Sequence, residues 1–164
     1  MNIIAIDPGN TESAYCLMQD YKPVEFGKIA NEALLTKIHY MDDSHVVPDA
    51  MVIEMVASYG MPVGKEVFDT CVWIGRYWEK YHDTIFGKVE LIYRMEEKMT
   101  LCHDSKARDS NIRQALIDRF AVHDKKNGKG TKKNPDWFYG FSADIWSAYA
   151  VGCTYLDKVK GAEQ

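Results

Sequence analysis

The chain has 164 residues, 46% hydrophobic and 27% charged, which fits one folded domain with its own core and excludes a disordered chain. Twenty Lys and Arg against 24 Asp and Glu leave a net charge of −4, which argues against a protein that coats nucleic acid through bulk positive charge. No apolar stretch approaches the roughly 20 residues that span a bilayer, so no membrane partner is expected.

In chain order, residues 3–6 are a β-branched apolar run that stops at the turn cluster Asp7-Pro8-Gly9-Asn10, and 13–18 resume it, predicting a hairpin. A third strand is predicted at 24–29, then a helix over 31–41, with Asn31 as N-cap and Leu34, Leu35, Ile38 and Met41 on one face. Residues 50–56 read as a buried strand carrying one charge, Glu54. A long helix is predicted over 65–82, with Val67 or Phe68, Val72, Ile74 or Gly75, and Trp78 turned inward. A strand at 89–93, a helix within 105–120 capped by Asp109 or Ser110, and a mostly apolar helix over 142–156 complete the order. Strands alternating with helices give an α/β class with a mixed sheet, arranged as one domain over 1–156 and a short tail over 157–164. Cys16, Cys71, Cys102 and Cys153 lack the paired spacing of a zinc site and read as reduced, buried thiols. With no basic-then-apolar leader visible, the expected location is cytoplasmic.

Three acids interrupt apolar surroundings. Asp144 alone is explained by the favourable field at a helix N-terminus, and Asp7 alone divides evenly between a turn residue and a functional one. Glu54 is different, because a carboxylate inside a buried strand pays a desolvation cost of several kcal/mol unless it is paired or binds a metal. Ligands of open α/β sheets gather at the carboxyl ends of strands, where Asp7 and Glu54 converge if their strands are neighbours. An all-oxygen site suits Mg²⁺, with Mn²⁺ as a substitute, and suits phosphodiester hydrolysis.

Ile4-Ala5-Ile6-Asp7-Pro8-Gly9, Val52-Ile53-Glu54 and Asp144-Ile145-Trp146-Ser147-Ala148-Tyr149-Ala150, in that order, resemble the motifs of RuvC-like Holliday-junction resolvases. The segment from Lys106 to Leu116 resembles the stretch before the last motif in phage-type members. The resemblance spans about residues 1–156. It implies a ribonuclease H-like mixed five-stranded sheet flanked by helices, a homodimer, and Mg²⁺-dependent paired nicking of four-way or other branched DNA. Asp7, Glu54 and Asp144 match the acidic positions of that family, as catalytic residues and metal ligands. The chain departs from the pattern at the last motif, where a second ligand is usual three residues from the first. Here Ser147 follows Asp144 and Phe141 precedes it. Ser147 then stands as a neutral ligand, with completion of the set by another acid as the alternative.

Charge is segregated along the chain. Over residues 119–133, Arg119, Lys125, Lys126, Lys129, Lys132 and Lys133 face one acid, Asp124, a local +5 that leaves −9 for the remainder. A solvated loop and a phosphate-contacting loop both fit this run. Lys98, Lys106 and Arg108 are further DNA-binding candidates. Trp137, Phe138, Tyr139 and Phe141 suit core or dimer packing better than base stacking. Two rival functions stay open. One is a junction-binding protein with little cleavage. The other is a phosphotransferase, because Asp7-Pro8-Gly9-Asn10-Thr11 also looks like the phosphate loop of type III pantothenate kinases, a fold that needs two such domains.

Overall fold

A computed structural model describes residues 1–42, 46–58, 60–121 and 126–162. Five strands and five helices follow in the order β1 (Asn2–Asp7), β2 (Glu12–Gln19), β3 (Lys22–Ala30), α1 (Asn31–His39), β4 (Ala50–Met55), α2 (Lys65–Ile85), β5 (Lys88–Tyr93), α3 (Arg94–Cys102), α4 (Asp109–Phe120) and α5 (Ala143–Ala162). The strands make one mixed sheet ordered β3-β2-β1-β4-β5. The tight Asp-Pro-Gly-Asn turn allows only an antiparallel β1–β2 pair, whereas the crossover through α1 returns β4 parallel to β1. β5 is parallel to β4 in turn.

The two-residue strand period sorts the core into two layers. Ile3, Ala5, Val52 and Ile92 face α5, while Ile4, Ile6, Met51 and Ile53 face α1 and α2. α3 and α4 pack beside α5. Gly152 lets α5 lie close on β1, since a Cβ there would come within 2.4 Å of Met18 Sδ and 3.1 Å of Ala5 Cβ. Among the described residues, no helix is long and apolar enough to cross a membrane.

Three sequence expectations are corrected and one helix is added. The inner face of α2 is Thr70, Ile74, Tyr77 and Tyr81, whereas Phe68, Val72 and Trp78 are exposed. The buried tyrosines are accommodated because their hydroxyls find partners: Tyr81 donates to Pro48 O at 2.7 Å, and Tyr77 lies 3.1 Å from Ser13 Oγ. Asn31 is not the cap of α1 but its first residue, with its side chain turned into the β1–β2 turn. α3 escaped the sequence reading because Arg-Met-Glu-Glu-Lys-Met shows little apolar periodicity. Finally, α5 continues to Ala162, and Asp157 and Lys158 are tied back to Arg119 and Glu96 at 2.7 and 2.6 Å, so most of the expected tail is helix.

Candidate active site

Register alone brings two of the three acids together. Ile6 pairs with Ile53 across the parallel β1–β4 ladder, so Asp7 and Glu54, one residue further on, stand side by side at the strand ends. Both follow the alternation of Ala5 and Val52 and therefore face α5. Asp7 also pairs with Ala14, and Ala14 with Lys28. One row across the sheet thus reads Lys28, Ala14, Asp7, Glu54 and, by its pairing with Glu54, Ile92. Asp144, in the first turn of α5, sits over this row. Its carboxylate is held by Lys28 Nζ at 2.7 Å, a lysine that sequence reading passed over.

The turn carrying Asp7 is fastened from below. Ser13 Oγ accepts from Gly9 N at 3.2 Å and donates to Asn31 Oδ1 at 2.7 Å, while Asn31 Nδ2 donates to Gly9 O at 2.9 Å. Ser13, Asn31 and Tyr77 are all buried, so the network is shielded from water and fixes the backbone next to Asp7. A Cβ on Gly9 would come within 2.3 Å of Glu12 O, so the turn also requires a glycine.

The electrostatics are those of carboxyls crowded out of water. Asp7 is pushed from 3.8 up to about 7 by burial, then by the charges of Glu54 and Asp144, with Arg94 opposing. Glu54 is raised by burial, with Arg94 pulling it down and Asp109 pushing it up. The interaction between the two side chains favours the protonated form of Asp7 and the ionised form of Glu54. Glu97 of α3 is the third acid raised, to about 9, by burial and by Glu54. Arg94 binds Glu97 Oε2 at 2.5 Å and also contacts Asp109. Burial works against its charge, but Glu97, Asp109 and Glu54 hold it protonated.

Two cavities meet at Asp144. One, of about 200 Å³, is lined by Asp7, Gly9, Glu12, Lys28 and Asp144. The other, of about 120 Å³, is lined by Arg94, Asp109, Arg113, Asp144 and Ser147. Ser147 therefore lies one helical turn from Asp144 on the same wall. Among the described residues, no three His, Cys, Asp or Glu side chains are already drawn into a ligand set. The donor set nonetheless fits a hard divalent cation: all oxygen, partly desolvated, anionic, and with Glu97 Oε1 buried and without a hydrogen-bond partner among the described residues. Asp7, Glu54 and Asp144 would hold it, with Ser147 adjacent.

The basic candidates divide by place. Lys98 is half-buried on α3, and Lys106 and Arg108 are exposed just before α4, close in sequence to Asp109. Lys132 and Lys133 stand at the tip of a small hairpin closed by the Gly130–Pro135 bridge and by Thr131 N donating to Asn134 O at 2.9 Å. Lys126 is exposed and Lys129 half-buried at the base of that hairpin, whereas Lys125 lies outside the described residues. Of the four aromatics, Phe138 and Phe141 are core residues. Trp137 stacks on Phe120 with its Nε1 donating to Tyr149 OH at 3.0 Å. Only Tyr139 is exposed. Sequence reasoning missed Lys28, Arg94, Glu97 and Asp109 as site residues, since one more charge in a polar segment does not stand out.

No protein-family model and no curated protein matches the sequence. Among solved structures, RuvC of Thermus thermophilus is similar over 99% of this chain and 97% of its own, with a TM-score of 0.72 at 14% identity. The same protein in complex with a Holliday junction substrate gives 0.69 at 14%, covering 98% of this chain and 96% of that one. The fowlpox virus resolvase with its substrate Holliday junction DNA gives 0.54 at 16%, covering 97% and 99%. The chain therefore has the ribonuclease H-like fold of these structures, as an α/β mixed five-stranded sheet flanked by helices.

Proposed function

We propose that the chain is a metal-dependent endonuclease that cuts four-way or other branched DNA by paired phosphodiester hydrolysis. The observation that carries this reading is the side-by-side placement of Asp7 and Glu54 at adjacent strand ends beneath Asp144. There, burial and repulsion make a bound cation favourable. Structures with the same fold at almost full length are resolvases seen with Holliday junctions, which supports the choice of substrate. Asp7, Glu54 and Asp144 would be ligands, with Ser147 as a weaker one. The chemistry that Mg²⁺ or Mn²⁺ supplies when bound is polarisation of the phosphate and of an attacking water. Lys28 holds Asp144 until the ligands close. Lys98, Lys106, Arg108 and the lysines at 125, 126, 129, 132 and 133 would contact phosphates and set position, not sequence preference.

The test is incubation of the purified protein with a synthetic four-way junction. Paired nicks in Mg²⁺ that vanish in EDTA are expected. Intact strands in both Mg²⁺ and Mn²⁺ would reject the reading. A second reading, junction binding without cleavage, is favoured by Ser147 standing where an acid is usual, and a shifted but uncut junction would select it.

Paired cutting needs two sites, and α2 offers a surface for a second copy. Phe68, Cys71, Val72 and Gly75 fall at i, i+3, i+4 and i+7, so they share one helical face. Phe68 and Val72 are 60% and 62% exposed, and Gly75 has open space above it. A homodimer joined along this stripe buries residues that a monomer leaves in water. Sedimentation should give twice the chain mass for wild type and a single chain for Phe68→Lys/Val72→Lys. An unchanged mass would place the interface elsewhere.

A further inference from the structure

The last motif brings Asp144 and the hydroxyl of Ser147 to the site, one acid fewer than the pattern it resembles. β5 ends at Tyr93 beside Met55, next to Glu54, and α3 begins at once with Arg94. The first turns of α3 therefore rise from the sheet edge where Glu54 stands. Glu97 is fully buried there, with a side-chain exposure of 0%.

The ion pair with Arg94 uses only one of the two oxygens of Glu97. The cap of α3 is supplied by Glu96, whose Oε1 accepts from Tyr93 N at 3.0 Å, so the favourable position for an acid in the first turn is already used. Arg94 Nη1 binds Glu97 Oε2 at 2.5 Å, but Oε1 is buried with no hydrogen-bond partner among the described residues. The charges of Glu54 and Asp7 both act on Glu97, against the Arg94 guanidinium bonded to it. A glutamate placed only for packing would be better replaced by an apolar side chain of similar volume. The other nearby acid, Asp109, is 79% exposed and is already engaged by Arg94.

We propose that Glu97 is the fourth carboxylate of the metal site, taking over from α3 the role that Ser147 cannot fill on α5. Arg94 fixes one oxygen of Glu97 and leaves the other, Oε1, buried and free to bind a cation. The inference rests on the metal-dependent reading above and assigns a residue to it.

Mn²⁺ alone, without DNA, is the probe, with free ion counted by electron paramagnetic resonance during titration of the full chain. Glu97→Gln should weaken Mn²⁺ binding about 10- to 100-fold, and Glu96→Gln should leave it unchanged. In a Glu97→Gln chain, adding Ser147→Asp should restore the affinity, which a merely structural role would not allow. Wild-type affinity in Glu97→Gln, with binding lost in Glu54→Gln, would overturn the proposal and leave the metal site standing. Wild-type affinity in both would overturn the metal reading itself. Should Glu97→Gln alone fold poorly, the double variant still decides: failure to bind Mn²⁺ once it is folded counts against the proposal.

Discussion

Glu54→Gln is expected to lower cleavage of a four-way junction by about 10²- to 10³-fold, the usual cost of losing one preorganised electrostatic group. Its melting temperature in EDTA should be no lower than that of wild type. Activity and stability separate here because the same charge serves them in opposite directions. Glu54 is raised by burial and stands beside Asp7, so its ionised form is held at a cost that folding pays and a bound cation recovers. Glutamine keeps the shape and the strand pairing and removes the charge. The comparison requires nicking rates and thermal unfolding on the same preparations, with junction binding in EDTA as the control for an intact surface. A variant that cuts like wild type would show that Glu54 is not a ligand. One that loses activity together with several degrees of melting temperature would show that its role is to hold the fold.

The three acids could be read from the sequence because each breaks an apolar run, and a buried charge stands out against Ile-Ala-Ile or Met-Val-Ile. The convergence of Asp7 and Glu54 is likewise implied once β1 and β4 are adjacent, since register does the rest, whereas Asp144 joins them only through the seating of α5. Lys28, Arg94 and Glu97 gave no such signal. They lie in segments already rich in charge, where an exposed and a buried side chain look alike, and only the packing of α3 against α4 and α5 takes Glu97 out of water. The face of α2 was misassigned for a related reason. Phe68 and Val72 are the more hydrophobic residues, but Tyr77 and Tyr81 can be buried because Ser13 and Pro48 O meet their hydroxyls. Those partners are 64 and 33 residues away, beyond the reach of any local pattern. The basic hairpin was visible as composition, and its turn geometry at Gly130 and Pro135 emerged only with the fold.

In EDTA, the wild-type chain should lose stability steadily as pH rises from about 4, and Asp7→Asn should lose much less of it below pH 7. Asp7 is an acid whose folded value, about 7, lies above its ordinary 3.8. Below pH 4 it is protonated whether folded or not and contributes nothing. Between these values the unfolded chain releases the proton while the folded chain keeps it. The unfolded state then binds fewer protons, and stability falls with pH. The full interval corresponds to up to about 4 kcal/mol. Glu54 and Glu97 shift in the same direction, and Glu97 extends the decline toward pH 9. The charges facing Asp7 are Glu54 from β4, Asp144 from α5, Arg94 from α3 and Lys28 from β3. The salt-bridged Asp157 works oppositely and in a lower window. Its value is depressed chiefly by Arg119 against the effect of burial, so its contribution is lost only as pH falls below its ordinary range. Saturating Mn²⁺ should flatten the decline, because an ion that binds the folded chain replaces the protons that crowding forces onto these acids. Urea unfolding at half-unit pH steps, with and without Mn²⁺, measures both effects. An Asp7→Asn curve parallel to wild type through pH 4 to 7 would mean that the Asp7 carboxyl is not desolvated against Glu54.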